Sequence, residues 1–247
     1  MSAASHTTYI EVVQLVAQSV GHPKPNDVAG SLDEAVLRMG FYANQACEEL
    51  LTQWDWEQLV KPATITIQAS TPGIVEEAYP LPDDFKTFVD DTLWNSSTLL
   101  PAIGPVNAQD WQWLKVRQAM ITTRFMWRLR GGKFWIKSPP EEPQELPFEY
   151  MSRNWAVDGD DGTPKAWMSK NADYHVYPPM LPILLTRAKW LKNEGYDASQ
   201  ALADYQKAFE FETGSNLGAT ALSLVPGVGF PYITPERSLP DTFYGPP

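Results

Sequence analysis

Pro62-Ala63-Thr64-Ile65-Thr66-Ile67 is the stretch at which the chain changes period. From Thr64 onward polar and apolar side chains alternate, which is the two-residue period of a strand with one buried face. Upstream the period is helical. Thr8-Tyr9-Ile10-Glu11 has the form of a capping box, and Ile10, Val13, Val16/Ala17 and Val20 then share a stripe until Gly21, Pro23 and Pro25 stop the helix. Ser31-Leu32-Asp33-Glu34 repeats the box ahead of a longer stripe of Met39, Ala43, Ala46/Cys47, Leu50 and Trp54.

Downstream the alternating period dominates. Phe125-Met126-Trp127-Arg128-Leu129-Arg130, Gly131-Gly132, then Lys133-Phe134-Trp135-Ile136-Lys137 predicts a hairpin, because a two-glycine loop supplies the positive φ angles of a primed turn. Phe148 and Tyr150 alternate in a further strand, and Asn107-Ala108-Gln109-Asp110 is placed to cap a short helix carrying Trp111 and Leu114. Helical period returns near Pro182 with Ile183, Leu184, Thr186/Arg187, Trp190 and Leu191, and stops at Gly195. Asp197 then heads another helix, with Gln200 at its third position and Leu202, Tyr205 and Phe209 on its stripe. The expected fold is therefore α+β: N-terminal helices (1–60) and a C-terminal helix hairpin (161–213) forming one helical bundle, with a β-rich region (61–160) inserted in it. From Gly214 to Pro247 neither period holds. Those 34 residues include six Pro and five Gly, so the segment has no core of its own and is expected to lie as an extended tail on another surface, most simply a partner chain.

The 247 residues are 43% hydrophobic and 20% charged, enough to bury one large core or two small ones. No apolar run approaches the roughly 18 residues of a membrane-spanning helix, and Met1 to His6 has neither a basic nor an apolar signal region, so a soluble, unsecreted chain with no membrane contact is expected. One cysteine, Cys47, excludes an intrachain disulfide, and with only His6, His22 and His175 beside it a Cys/His zinc site is not expected. Charge is more informative. Thirty acids against 19 bases give a net charge of −11, yet residues 111–140 hold seven bases (Lys115, Arg117, Arg124, Arg128, Arg130, Lys133, Lys137) and no acid, which leaves −18 for the rest. Two readings follow: a nucleic-acid patch in which Trp111, Trp113, Trp127 and Trp135 stack on bases, or a hairpin whose Trp residues pack inward while Arg124, Arg128, Arg130, Lys133 and Lys137 meet the acidic face of a neighbouring subunit. The overall acidity favours the second.

Chemistry-bearing patterns are few. Asp158-Gly159-Asp160-Asp161-Gly162 has the look of a calcium loop, but the third ligand position is Gly162 and the closing one Ser169, so a solvated acidic turn is expected instead. Gly131-Gly132-Lys133 lacks the earlier glycine and the hydroxyl residue of a phosphate loop. Cys47 lies on an apolar helical stripe and reads as core, and His175 reads as a loop or interface residue. The acid pairs Asp83-Asp84 and Asp90-Asp91 could serve acid–base chemistry, but such pairs are expected by chance in an acidic chain. No enzyme, cofactor or metal is expected.

Tyr79-Pro80-Leu81-Pro82-Asp83-Asp84-Phe85 followed by Asp90-Asp91-Thr92-Leu93-Trp94-Asn95, then Leu100-Pro101-Ala102-Ile103-Gly104-Pro105, Leu129-Arg130-Gly131 and Phe148-Glu149-Tyr150-Met151-Ser152-Arg153-Asn154-Trp155 ahead of the Trp190 helix, resembles the head-to-tail adaptors of tailed bacteriophages. The resemblance covers roughly residues 79–213 and lies in the order of elements, since no single motif carries chemistry; the long Pro/Gly tail departs from the pattern. It implies a homo-oligomeric ring of twelve copies at the head–tail junction of the virion, assembled in the host cytoplasm. The ring would be fixed beneath the portal protein, would receive the tail nozzle or tail tube, and would pass genomic DNA through its lumen without sequence-specific binding. An acidic lumen would let DNA slide without sticking. The tail candidates for docking on the portal or a neighbour are Leu222, Leu224, Val225, Phe230, Tyr232, Phe243 and Tyr244. The alternative is a carbohydrate-binding or hydrolytic virion module, which would require an exposed Trp platform beside two carboxylates roughly 5 to 9.5 Å apart.

Overall fold

The computed structural model describes residues 6–69, 76–116, 124–137, 140 and 142–216. Helix α1 spans Tyr9–Ser19 and opens on the expected box: Thr8 Oγ1 accepts from Glu11 N at 3.4 Å and Glu11 Oε2 from Thr8 N at 2.8 Å. Helix α2 spans Glu34–Gln53, but its cap is Asp33, whose carboxylate accepts from Ala35 N at 2.9 Å, while Ser31 Oγ accepts from Asp33 N. Asp33, directly ahead of the first helical residue, takes the cap position, and the serine is left ordering the turn. Strands β1 (Val60–Ile67), β2 (Glu76–Pro80), β3 (Phe85–Phe88), β4 (Trp94–Asn95) and β5 (Leu100–Pro101) precede helix α3 (Ala108–Val116). Then come β6 (Met126–Arg130), β7 (Lys133–Lys137), β8 (Gln144–Ser152), β9 (Ala156–Val157), β10 (Pro164–Lys165) and β11 (Tyr174–His175), and last α4 (Met180–Asn193) and α5 (Ser199–Asn216).

The expected bundle is not what the chain builds. Among the described residues five α-helices are spread through the sequence, with α3 in the middle, and the strands form several small antiparallel sheets, so the fold is mixed α+β. The physical reason lies in the helical core. Side chains of α1, α2, α4 and α5 do not close it by themselves; Trp56, Leu59, Trp155, Met168 and Tyr177, all from strands and connecting segments, fill its middle. A bundle interface needs continuous apolar seams, and here the seam is completed by non-helical aromatics. Leu202, expected on the α5 stripe, is 40% exposed, whereas Tyr205 is buried. The expected tail, 214–247, lies outside the described residues from Leu217 onward.

The β-rich half has its own core. Sheets β1-β8-β3 and β2-β7-β6 face each other across Ile65, Ile67, Phe134, Ile136, Leu146 and Phe148. Gly131 and Gly132 have φ of +58° and +69°, the two positive angles that a primed turn requires, and β6 pairs with β7 from Met126↔Lys137 to Arg130↔Lys133. The long β1–β8 pair joins the two halves, since Tyr150 packs in the β core and its neighbour Met151, on the opposite face, in the helical one.

Asp84 fastens that joint. Its carboxylate accepts from Lys61 Nζ, Tyr150 Oη and Ser152 Oγ, each at 2.7 Å. Burial works to raise its pKa, but these three donors outweigh it and bring the carboxyl down to about 2.

Candidate functional site

The basic hairpin sorts its side chains by strand alternation. Trp127, Phe134 and Ile136 point into the core; Arg128, Arg130, Lys133, Trp135 and Lys137 share the outer face by register. One end of that face is covered by α3. Glu76, opposite Lys137 on β2, accepts from Trp111 Nε1 at 2.8 Å and pairs with Lys115 Nζ at 2.8 Å. Lys137 is therefore only 8% exposed and its ammonium has no hydrogen-bond partner among the described residues. Burial, aided by the Lys115 charge and opposed by Glu76, lowers its pKa.

The other end is open. Lys133 is exposed and Arg128 half-buried, while Arg124, ahead of β6 at the Lys137 end, is also exposed. Arg130 lies over the Trp135 ring, 3.9 Å from its centroid, with Glu76 at 3.7 Å as a distant second contact. Four of the five sequence candidates thus share one strand face but not one exposure, Arg124 lies ahead of β6, and Arg117 lies outside the described residues, as do tail candidates Leu222, Leu224, Val225, Phe230, Tyr232, Phe243 and Tyr244. Of the tryptophans considered for base stacking, Trp111 and Trp127 are buried, so they offer no face to a nucleotide.

Two cations that charge counting along the sequence missed join Arg130 at the hairpin tip. A groove of about 550 Å³ is lined by Lys86, Arg130 and Arg153 together with Phe85, Leu129 and the two turn glycines. Lys86 Nζ donates to the Leu51 carbonyl near the end of α2, and Arg153 Nη2 donates to the Asp83 carbonyl. Neither has a carboxylate partner among the described residues. The signal for them was topological: the β3–β8 pairing brings residues 86 and 153 together, and the packing of the two sheets sets Arg130 on the same groove.

On the outer face of the other sheet runs a second groove, about 800 Å³, lined by Pro62, Thr64, Asp91, Trp94, Pro147 and Glu149. Register places Pro62 opposite Glu149, Thr64 opposite Pro147 and Thr66 opposite Glu145 on this face. Asp90, Asp91, Glu145 and Glu149 are all exposed and none forms an ion pair among the described residues. Trp94, 37% exposed, is the tryptophan that borders this groove, and its indole N–H is donated to the Asp91 carbonyl.

Neither a protein-family model nor a curated protein matches this chain. Function is read from its geometry.

The remaining candidates of the sequence serve the interior. Asp158 accepts from Lys165 and Lys170, and Asp160 from Lys170 at 2.7 Å, so lysines occupy the acidic turn. Lys165 reaches on to Asp173, which is fully buried, at 2.6 Å. Asp173 also accepts from Ser169 N and Lys170 N, and these bonds with Lys165 overcome burial to hold its carboxyl below the usual range. His175, expected at a loop or interface, is instead buried on β11 beside Tyr177, and burial pushes its pKa down to about 4. Cys47 is buried in the helical core, where burial raises its thiol well above the ordinary value.

Proposed function

We propose that this chain is a structural connector, the head-to-tail adaptor of a tailed bacteriophage, acting as a ring of twelve copies between portal and tail and carrying no catalysis. The supporting observation is the segregation of charge: cations gathered around Lys86, Arg130 and Arg153, acids gathered on the outer face of β8, with only Arg130 reaching a carboxylate, Glu76 at 3.7 Å, among the described residues. A monomer gains nothing from such a division, whereas a heterologous contact between copies uses both surfaces at once and closes into a ring when the rotation allows. Of the acid pairs that could be suspected of acid–base work, Asp84 is committed to a lysine and two hydroxyls that hold the fold. The adaptor-like stretch Tyr79 to Phe85 leads into the joint made by Asp84. A net charge of −11 per copy would repel the DNA backbone from the lumen of such a ring.

Native mass measurement of the full-length chain mixed with its phage portal tests this. A complex with twelve copies per portal ring is expected; a chain that stays monomeric with portal present overturns the reading.

A further inference from the structure

We infer that the cationic groove of one subunit takes the acidic outer sheet face of the next, so that Lys86, Arg130 and Arg153 pair across the interface with Asp91, Glu145 and Glu149. This deepens the connector reading and rests on it for the presence of many copies.

Lys86 and Arg153 are positioned but not neutralised, and Arg130 only weakly so, its Glu76 contact being 3.7 Å. Lys86 and Arg153 are held by backbone carbonyls and Arg130 chiefly by an aromatic ring, so their side chains are oriented while their charge is left for another group. A carbonyl or ring fixes a donor at small cost and leaves the monopole intact, whereas a carboxylate would cancel it. One acid, Asp83, lines the same groove, against three cations.

The acids are displayed in the same sense. Glu145 and Glu149 stand on alternate residues of β8, on the face turned away from Leu146, Phe148 and Tyr150, and Asp91 borders them. Pro62 lies opposite Glu149 on β1, and Glu149 N and O are bonded to Thr92 and Val89 on the other side of β8. Strand alternation then turns Pro62 toward the open edge, where a missing N–H discourages another strand from adding. Recognition at this face is thus left to side chains.

Lys86 on β3 and Arg153 just beyond β8 belong to the same sheet as the acidic face and Arg130 to the facing sheet, but the two grooves share no lining residue and the paired strands between them are rigid. One copy cannot fold its acidic face onto its own cationic groove, so the match is made between copies, head to tail. A polyanion such as duplex DNA is the competing occupant of the cationic groove, and the chain's acidity counts against it.

A charge-swap pair tests the inference. Variant A carries Arg130→Glu and Arg153→Glu; variant B carries Glu145→Lys and Glu149→Lys. Each alone is expected to associate at least about tenfold more weakly than wild type in sedimentation, and an equimolar mixture to recover, because A's reversed groove fits B's reversed face while the unchanged surfaces of B and A fit each other. Zero-length cross-linking of mixed isotope-labelled and unlabelled wild type should join Lys86 to an acid of the oppositely labelled copy. If wild type self-associates but mixing restores nothing, the pairing is wrong and the connector reading stands; if no cross-link between copies forms at Lys86, the pairing also fails. Duplex DNA retained by wild type and lost by variant A identifies a phosphate site and overturns it.

Discussion

The helical half encloses a charged group in its interior, whereas the β half displays charges at its hairpin tip and on its β1–β8 face. Asp173 is enclosed with Lys165 and two backbone amides, and Asn44 is enclosed with Gly40 and the backbone of Met168, which it meets at 3.1 Å through its amide and 2.9 Å through its oxygen. The hairpin tip and the β1–β8 face show the opposite economy, with side chains in order and charges largely unmatched. The same residue types therefore do different work: in the first region they make one packing unique, and in the second they select a neighbour. Removing a charge should cost stability in the first region and association in the second.

The largest loss of stability is expected for Asp173→Ala. It strands the Ser169 and Lys170 amides and strips Lys165 of its closer partner, which should destabilise by about 3 kcal/mol or more in denaturant titration. Asp173→Asn, which keeps an acceptor, should cost less.

His175 gives the next effect and an acid window. Its folded pKa of about 4 lies below the usual 6.5, so the unfolded chain takes up the proton first, and stability present above about pH 6.5 is lost as pH falls toward 4, by on the order of 3 kcal/mol. His175→Leu should flatten that part of the stability curve, because neither ring nitrogen has a hydrogen bond to lose among the described residues.

Asp84 at the joint acts in a lower window. With a folded pKa of about 2 against a usual 3.8, its contribution is present above about pH 4 and disappears between there and pH 2, amounting to about 2 kcal/mol. Asp84→Asn should abolish that step. The two windows should separate in chemical denaturation, and their merging would mean that the joint and the helical core do not respond independently.

Least of all should change on reversing an outward charge. Lys133→Glu and Glu145→Lys are each expected to move stability by under about 0.5 kcal/mol. A larger shift in the melt would break the contrast, since it would show that the β half uses these charges to fold.

How much of this the sequence discloses follows from the range of the interactions. Thr8 and Glu11, the Met39 to Leu50 stripe, and the turn at Gly131-Gly132 are local patterns, and all fold as their spacing says. The bundle expectation fails because Trp56, Trp155 and Tyr177 lie on no periodic stripe and yet supply the middle of the helical core. The candidate surfaces divide the same way. Arg130 stands out as part of an acid-free run, but Lys86 and Arg153, 67 residues apart in sequence, come together when β3 pairs with β8 and share a groove with Arg130 only where the two sheets pack. His175 looks exposed because it neighbours a Pro-Pro pair, and pairing of β11 with β9 buries it.

The most direct test of the division between inward and outward charge is sedimentation of the wild-type chain across ionic strength, run beside a thermal melt. The account predicts assemblies larger than the 27.7 kDa monomer at low salt that dissociate as salt rises, with the melt of the dissociated chain nearly unchanged. A species of 27.7 kDa at every salt and protein concentration would contradict it.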